Sequence, residues 1–187
     1  MPSTFNAKKF INAALFFAER DTIGITKLNK LLYFSDFEHF RLYGRPIIGD
    51  EYIKMERGPV PERAYSIFNS NFRDKQDDSL SGYFEVKPRR ILDFTEKTIL
   101  PMRKADVSCF SQSELDVMGR VSEQYKGKTA AALSGKSHEE SPWKKTDLFQ
   151  KIDYRLILDD ADGLSVSKEY VDHRDEQAEE LADILGR

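Results

Sequence analysis

Between Thr26 and Leu42 the chain holds a stretch in which charge is confined to one narrow stripe. Advancing about 100° per residue from Lys27 brings Lys30, Glu38 and Arg41 back to the same side, while nearly every other position is apolar. A helix with so broad an apolar surface has to be wrapped by other elements, so it belongs at the centre of a fold. Its end is marked by Tyr43-Gly44-Arg45-Pro46, with Gly just past the last turn and Pro beyond it. Two features interrupt the pattern. Phe34 projects into the charged stripe, either covered by a neighbouring segment or left as an exposed anchor, since aromatics ringed by charge are typical of interface hot spots. Asn29, Asp36 and His39 project to the opposite, apolar side, where polar atoms require partners. They read as a buried hydrogen-bond network rather than a catalytic group.

The rest of the chain supplies the wrapping. A first helix over Thr4–Arg20 has an apolar face of Phe5, Ile11, Ala14, Leu15 and Ala18, followed by a turn at Asp21-Thr22-Ile23-Gly24. Glu51–Glu56 reads as a strand. Arg57–Pro61 leads into a helix over Glu62–Phe72, with Pro61 in its first turn. Asp74–Ser81 reads as a mobile polar loop. Tyr83–Lys87 and Ile91–Phe94 read as two short strands about a Lys87-Pro88-Arg89-Arg90 turn, forming a small antiparallel sheet with the earlier strand. Ser111 and Glu114 make a capping box that starts a helix through Tyr125. Lys128–Leu133 reads as a short helical piece, Ser137–Trp143 as a loop and Asp159–Gly163 as a turn. A charged helix over Ser165–Leu185 has one apolar edge of Leu181, Ile184 and Leu185. The expected fold is α+β and predominantly helical, a bundle around the central helix with a small antiparallel sheet. The expected domain covers residues 1–158 and the charged tail 159–187.

Composition excludes several classes. With 187 residues, 40% hydrophobic and 12% aromatic, the chain can bury a sizeable core. A net charge of −3 argues against general nucleic-acid binding, which needs an excess of Lys and Arg. Lys8-Lys9, Arg89-Arg90 and Lys144-Lys145 all have acids near them. The single Cys109 excludes an internal disulfide or a cysteine-based zinc site and reads as a small buried hydrophobe. No apolar run reaches about 18 residues and Met1–Asn12 lacks a signal-peptide pattern, so a soluble, cytoplasmic protein is expected.

No chemistry-bearing motif is complete. The three histidines, His39, His138 and His173, do not form a metal-binding helix, and no metal or cofactor is expected. Gly127-Lys128-Thr129 and Gly135-Lys136-Ser137 look like ends of phosphate-binding loops, but Ser122 and Ala130 stand where the earlier Gly is required. Ser165 and Lys168 match Ser-x-x-Lys without its companion motifs. His138 and Trp143 read as a loop brace and a plug between helices, or as partner contacts, because Trp offers a large contact area. No catalytic residue is assigned. An enzyme would need a pocket around His39 and Asp36, with His138 as a further member.

Lys27-Leu28-Asn29-Lys30-Leu31-Leu32-Tyr33-Phe34, with His39 and Leu42–Pro46 after it, resembles the signature helix of the Panacea (SocA-like antitoxin) family. Arg57-Gly58-Pro59-Val60-Pro61 is similar to that family's Gly-Pro-Val segment. Ser137-His138-Glu139 through Pro142-Trp143 is similar to its Ser/Thr-His-x-x-x-Pro-Trp loop. Asp153-Tyr154-Arg155-Leu156 resembles a later Pro-Tyr-x-Leu element, with Asp153 in place of Pro. Asp36 and Glu38 depart from the small or aromatic residues expected at those positions. The resemblance implies an antitoxin that neutralises a toxin encoded beside it by direct contact. In one branch of the family the antitoxin delivers its toxin to an AAA+ protease of the ClpXP type. Some members carry a separate DNA-binding domain, for which the N-terminal stretch here is expected to be too short. On this reading Lys30, Phe34, Arg41, His138 and Trp143 are candidates for the partner-contact surface. A homo-oligomer through the tail remains open.

Overall fold

A computed structural model of the chain describes residues 5–72, 78–91, 94–160 and 162–185. Helix α1 (Ala7–Ala18) starts at Asn6, whose side chain accepts from the Lys9 amide at 3.0 Å. Helix α2 (Ile25–Tyr43) is the centre of the molecule, and Gly44 at φ 70° closes it by donating its amide to Phe40 at 2.7 Å. That left-handed residue is where a Gly stop is required. Around α2 pack α1, α3 (Glu62–Phe72), α4 (Gln112–Tyr125), α5 (Ala130–His138) and a 3₁₀ segment over Tyr154–Asp160. The fold is therefore predominantly helical α+β, organised around α2.

The described residues hold two small antiparallel sheets rather than the single one expected from sequence. Strands β2 (Tyr52–Met55) and β3 (Gly58–Pro61) form a hairpin against α2, with Ile53 opposite Val60. Strands β4 (Phe84–Ile91) and β5 (Phe94–Pro101) form the other, joined on the β5 side by β1 (Ile23–Gly24). Three readings are corrected here. Ile23-Gly24, read within a turn, pairs with Ile99 and Thr98. Pro61 ends β3, and α3 starts at Glu62. Lys87–Arg90, read as a turn, lies inside β4, with Pro88 opposite Lys97. β4 is an edge strand, where a residue without an N–H is tolerated. Of the expected Asp74–Ser81 loop, residues 74–77 lie outside the described residues.

The capping box at Ser111 and Glu114 is present, with both reciprocal bonds. Ser137–Trp143 is not a loop: α5 runs through His138, and a short helix α6 (Ser141–Lys144) follows. Cys109 is half-buried, its thiol donating to the Asp106 carbonyl at 3.0 Å. Helix α7 (Lys168–Ile184) docks through its first half. Val171 is fully buried, Arg155 pairs with Asp175 at 2.8 Å, and the Arg174 guanidinium donates to the Gly44 carbonyl. Beyond that, Leu181, Ile184 and Leu185 are exposed. Among the described residues no helix is long and apolar enough to cross a membrane.

Candidate partner-binding cleft

The charged stripe of α2 meets a different neighbour at each turn. Lys27 pairs with Asp21 at 2.6 Å. Lys30 is 2% exposed and reaches inward, donating to the Pro59 carbonyl at 2.7 Å, and burial pushes its amine down to about 7. Arg41 holds Glu38 through two bonds of 2.9 and 3.0 Å and reaches Asp162 at 2.6 Å. Only the Glu38–Arg41 end of the stripe faces open space.

That end lines a cleft of about 490 Å³ between α2, α4, the α5–α6 junction and the 3₁₀ segment. Phe34 lies in its wall, 5% exposed, with its ring stacked on Tyr125 of α4 at 4.5 Å and 23°. Of the two sequence readings of Phe34, its burial under a neighbouring element fits the first. Lys136 pairs with Glu139 at 2.7 Å at the cleft's edge. Glu140, at the start of α6, places its carboxyl into the interior. Its Oε2 is fully buried and has no hydrogen-bond partner among the described residues. The buried Tyr33 hydroxyl lies close enough to act against that burial and lower the carboxyl's pKa, though neither oxygen has a hydrogen-bond partner of normal geometry among the described residues. Burial, opposed by Tyr33 and reinforced by Asp160, pushes the Glu140 carboxyl up to about 7. Asp160 also lines the cleft and accepts from the Ser141 amide and hydroxyl at 2.6 and 2.7 Å.

Asn29, Asp36 and His39 are all buried, and among the described residues no hydrogen bond joins one to another. Asp36 accepts from the amides of Ile47, Ile48 and Gly49 at 2.8, 2.8 and 3.3 Å and from the hydroxyls of Tyr52 and Tyr154 at 3.1 and 3.0 Å. It thereby pins the chain after α2 back onto the helix. Burial still outweighs these donors and raises its carboxyl to about 6. His39 places Nδ1 2.6 Å from the Arg45 carbonyl and Nε2 3.2 Å from the Ser113 hydroxyl, and burial lowers its pKa. The Asn29 Oδ1 has no partner among the described residues. A second cleft, of about 630 Å³, opens beside Tyr154, Arg174 and Asp175. Asp36, His39 and His138 line neither cleft.

His138 and Trp143 lie face to face, with ring centres 3.9 Å apart. The Lys54 amine sits 4.1 Å from the Trp143 ring centre and donates to the Thr146 carbonyl at 2.6 Å, while the indole N–H donates to Met55 at 3.3 Å. The pair thus clamps the outer end of β2. His138 Nε2 is buried without a partner among the described residues. Burial, then the nearby Lys30 and Lys54, holds its pKa below the usual value.

Reading from sequence missed Glu140, Tyr125 and Asp160. Glu140 stands at one of the unspecified positions of the Ser137–Trp143 block, and Tyr125 closes a helix that was read only from its capping box at Ser111. Only folding brings them to Phe34. Among the described residues no group of three or more His, Cys, Asp or Glu could hold a metal.

No curated protein and no solved structure matches the chain. A family model does: the SocA-like antitoxin, Panacea domain, over residues 28–144. The matched span runs from the first turns of α2 through α6 and contains Phe34, Glu38, Arg41, Tyr125 and Glu140 of the cleft. With that domain covering well over half of its length, the chain belongs to the SocA-like antitoxin family, the proteins built on the Panacea domain.

Proposed function

We propose that this chain is the antitoxin of a two-protein system, neutralising a toxin encoded beside it by direct, stoichiometric binding in the cytoplasm. The observation that carries the reading is the cleft within the matched domain: an aromatic wall of Phe34 and Tyr125 bordered by Glu38, Arg41, Glu139 and Glu140. A charged rim over a packed aromatic floor is a surface on which a partner's own anchors can seat. Arg41 belongs to this surface, and Phe34, stacked on Tyr125, supports it from beneath. Lys30 contributes from beneath it by holding β3 in place, and His138 with Trp143 forms a second patch at the end of β2.

Co-expression with the adjacent open reading frame, followed by affinity purification on this chain, tests the reading. Rescue from a lethal neighbour with stoichiometric co-purification is the expected result. Rescue accompanied by disappearance of the neighbour would instead indicate delivery to a protease of the ClpXP type. A harmless neighbour that does not bind would overturn the reading.

A further inference from the structure

Helix α7 runs past the body that it docks on. Its first half is held by Val171, which is fully buried, by Arg174 on the Gly44 carbonyl and by Asp175 on Arg155 at 2.8 Å. Ala178 is half-buried beside the cleft of about 630 Å³ and is the last residue of α7 to line it. From Glu176 onward no side chain of α7 forms a hydrogen bond or an ion pair among the described residues.

The docking face does not end where the body does. Advancing about 100° per residue from Val171 returns Ala178, Ala182 and Leu185 to within roughly 40° of it, with Leu181 and Ile184 widening the apolar sector on one side. Leu181 and Leu185 lie 56% and 58% exposed on this continued face. A stripe that is dry at Val171 is thus carried out into solvent, where packing within the chain does not use it.

The charge on this segment selects its occupant. Residues 176–185 hold Glu176, Glu179, Glu180 and Asp183 and no Lys or Arg. The four acids fill the side of the helix that the apolar sector leaves, with Glu179 at its margin. The last turn has no basic residue, so the negative end of the helix dipole and the carboxylates add with one sign. A second copy would set four carboxylates against four with no cation between them, and an anionic membrane or a nucleic acid meets the same repulsion. A segment whose apolar side chains are flanked by Lys or Arg matches both sides of the helix.

We infer that α7 beyond Ala178 is a docking helix for a basic, apolar segment of the partner protein. This rests on the reading that the chain binds a protein, and it adds a contact outside the matched span of residues 28–144. The segment packs on Leu181, Ala182 and Leu185, while its cations meet Glu179, Glu180 and the negative end of the helix.

The test needs no toxin. A short amphipathic peptide of Leu and Lys is titrated against the isotope-labelled full chain by amide NMR, beside the same peptide with Glu in place of Lys. Saturable shifts centred on Leu181 and Leu185 are expected with the Lys peptide, and binding of the Glu peptide should be at least about tenfold weaker. Leu181→Gln with Leu185→Gln keeps helix propensity and should weaken the Lys peptide at least about tenfold. Glu179→Lys with Glu180→Lys should remove the preference between the two peptides. Shifts centred elsewhere, equal binding of the Glu peptide, or unchanged binding by the Gln pair would each overturn the inference. So would a dimer of the isolated chain in sedimentation that the Gln pair dissolves, because the occupant is then a second copy. With the adjacent open reading frame co-expressed, the Gln pair should lower recovery of the neighbour at least about tenfold. Full recovery removes the helix contact and leaves the antitoxin, whereas a harmless, unbound neighbour removes the antitoxin and leaves the peptide titration to decide the helix.

Discussion

Lys30 donates its amine to the carbonyl oxygen of Pro59 at 2.7 Å from inside the core. The bond ties the second turn of α2 to β3, and burial pushes the amine down to about 7 from its ordinary 10.5. Between those values the unfolded chain binds the proton and the folded chain does not, so stability rises with pH across the window. Denaturant unfolding at pH 7 and pH 9 should show this gain, on the order of 2 kcal/mol. Lys30→Met should abolish most of it and narrow the gap by stabilising the protein at the lower pH. A gain that survives the substitution would mean that another group titrates.

Gly58 lies beside that bond at φ 91°, and a Cβ there would come within 2.6 Å of the Ser137 hydroxyl and 2.8 Å of the Lys30 amine. Gly58→Ala combines backbone strain with overpacking, and we expect a loss of roughly 2–4 kcal/mol. Chemical denaturation measures it. A loss below about 0.5 kcal/mol, the range of ordinary surface changes, would show that β3 can shift without disturbing α2.

Asp36→Asn turns part of an all-acceptor group into a donor facing three amides and two hydroxyls. The expected cost at pH 7.5 is roughly 2–4 kcal/mol. Because the carboxyl is raised to about 6 from 3.8, the folded wild type binds the extra proton between those values, so this group's contribution falls as pH rises through the window. Unfolding at pH 4 and pH 7.5 should therefore show a fall that the Asn variant lacks.

Glu140 has the same sign. Its carboxyl is raised to about 7 from 4.5, so wild-type stability falls between those values. Glu140→Gln should shrink the difference in stability between pH 5 and pH 8 by roughly 2 kcal/mol. Thermal and denaturant unfolding at the two pH values provide the comparison, and an unchanged difference would place the carboxyl in water.

Trp143 is the only tryptophan, and it is stacked on His138. A protonated imidazole quenches indole emission, so fluorescence should rise with pH, with a midpoint below the ordinary His value of 6.5. His138→Gln should remove the transition. A midpoint above 6.5 would contradict the burial and cationic surroundings that lower it.

The central place of α2 was legible in the chain alone, because its 3.6-residue period, its broad apolar surface and the Gly44–Pro46 stop are local properties. So were the capping box at Ser111 and the limits of α3. The strand pairings were not. Pro59, Pro61 and Pro88 look like breakers locally, and lie in strands because their strands have free edges on which no N–H is needed.

Which charges are spent and which are open was likewise decided in three dimensions. Sequence separates Phe34 from Tyr125 and Glu140 by about a hundred residues, and it places Lys30 and Arg41 on one stripe as though they were equivalent. Folding buries the first under β3 and leaves the second at the rim of a cleft. Periodicity determines which face of a helix is apolar, since that depends only on neighbours along the chain. The tertiary structure alone determines whether a polar atom on that helix finds a partner, as Asp36 does and the Asn29 Oδ1, among the described residues, does not, because those partners come from elements distant in sequence.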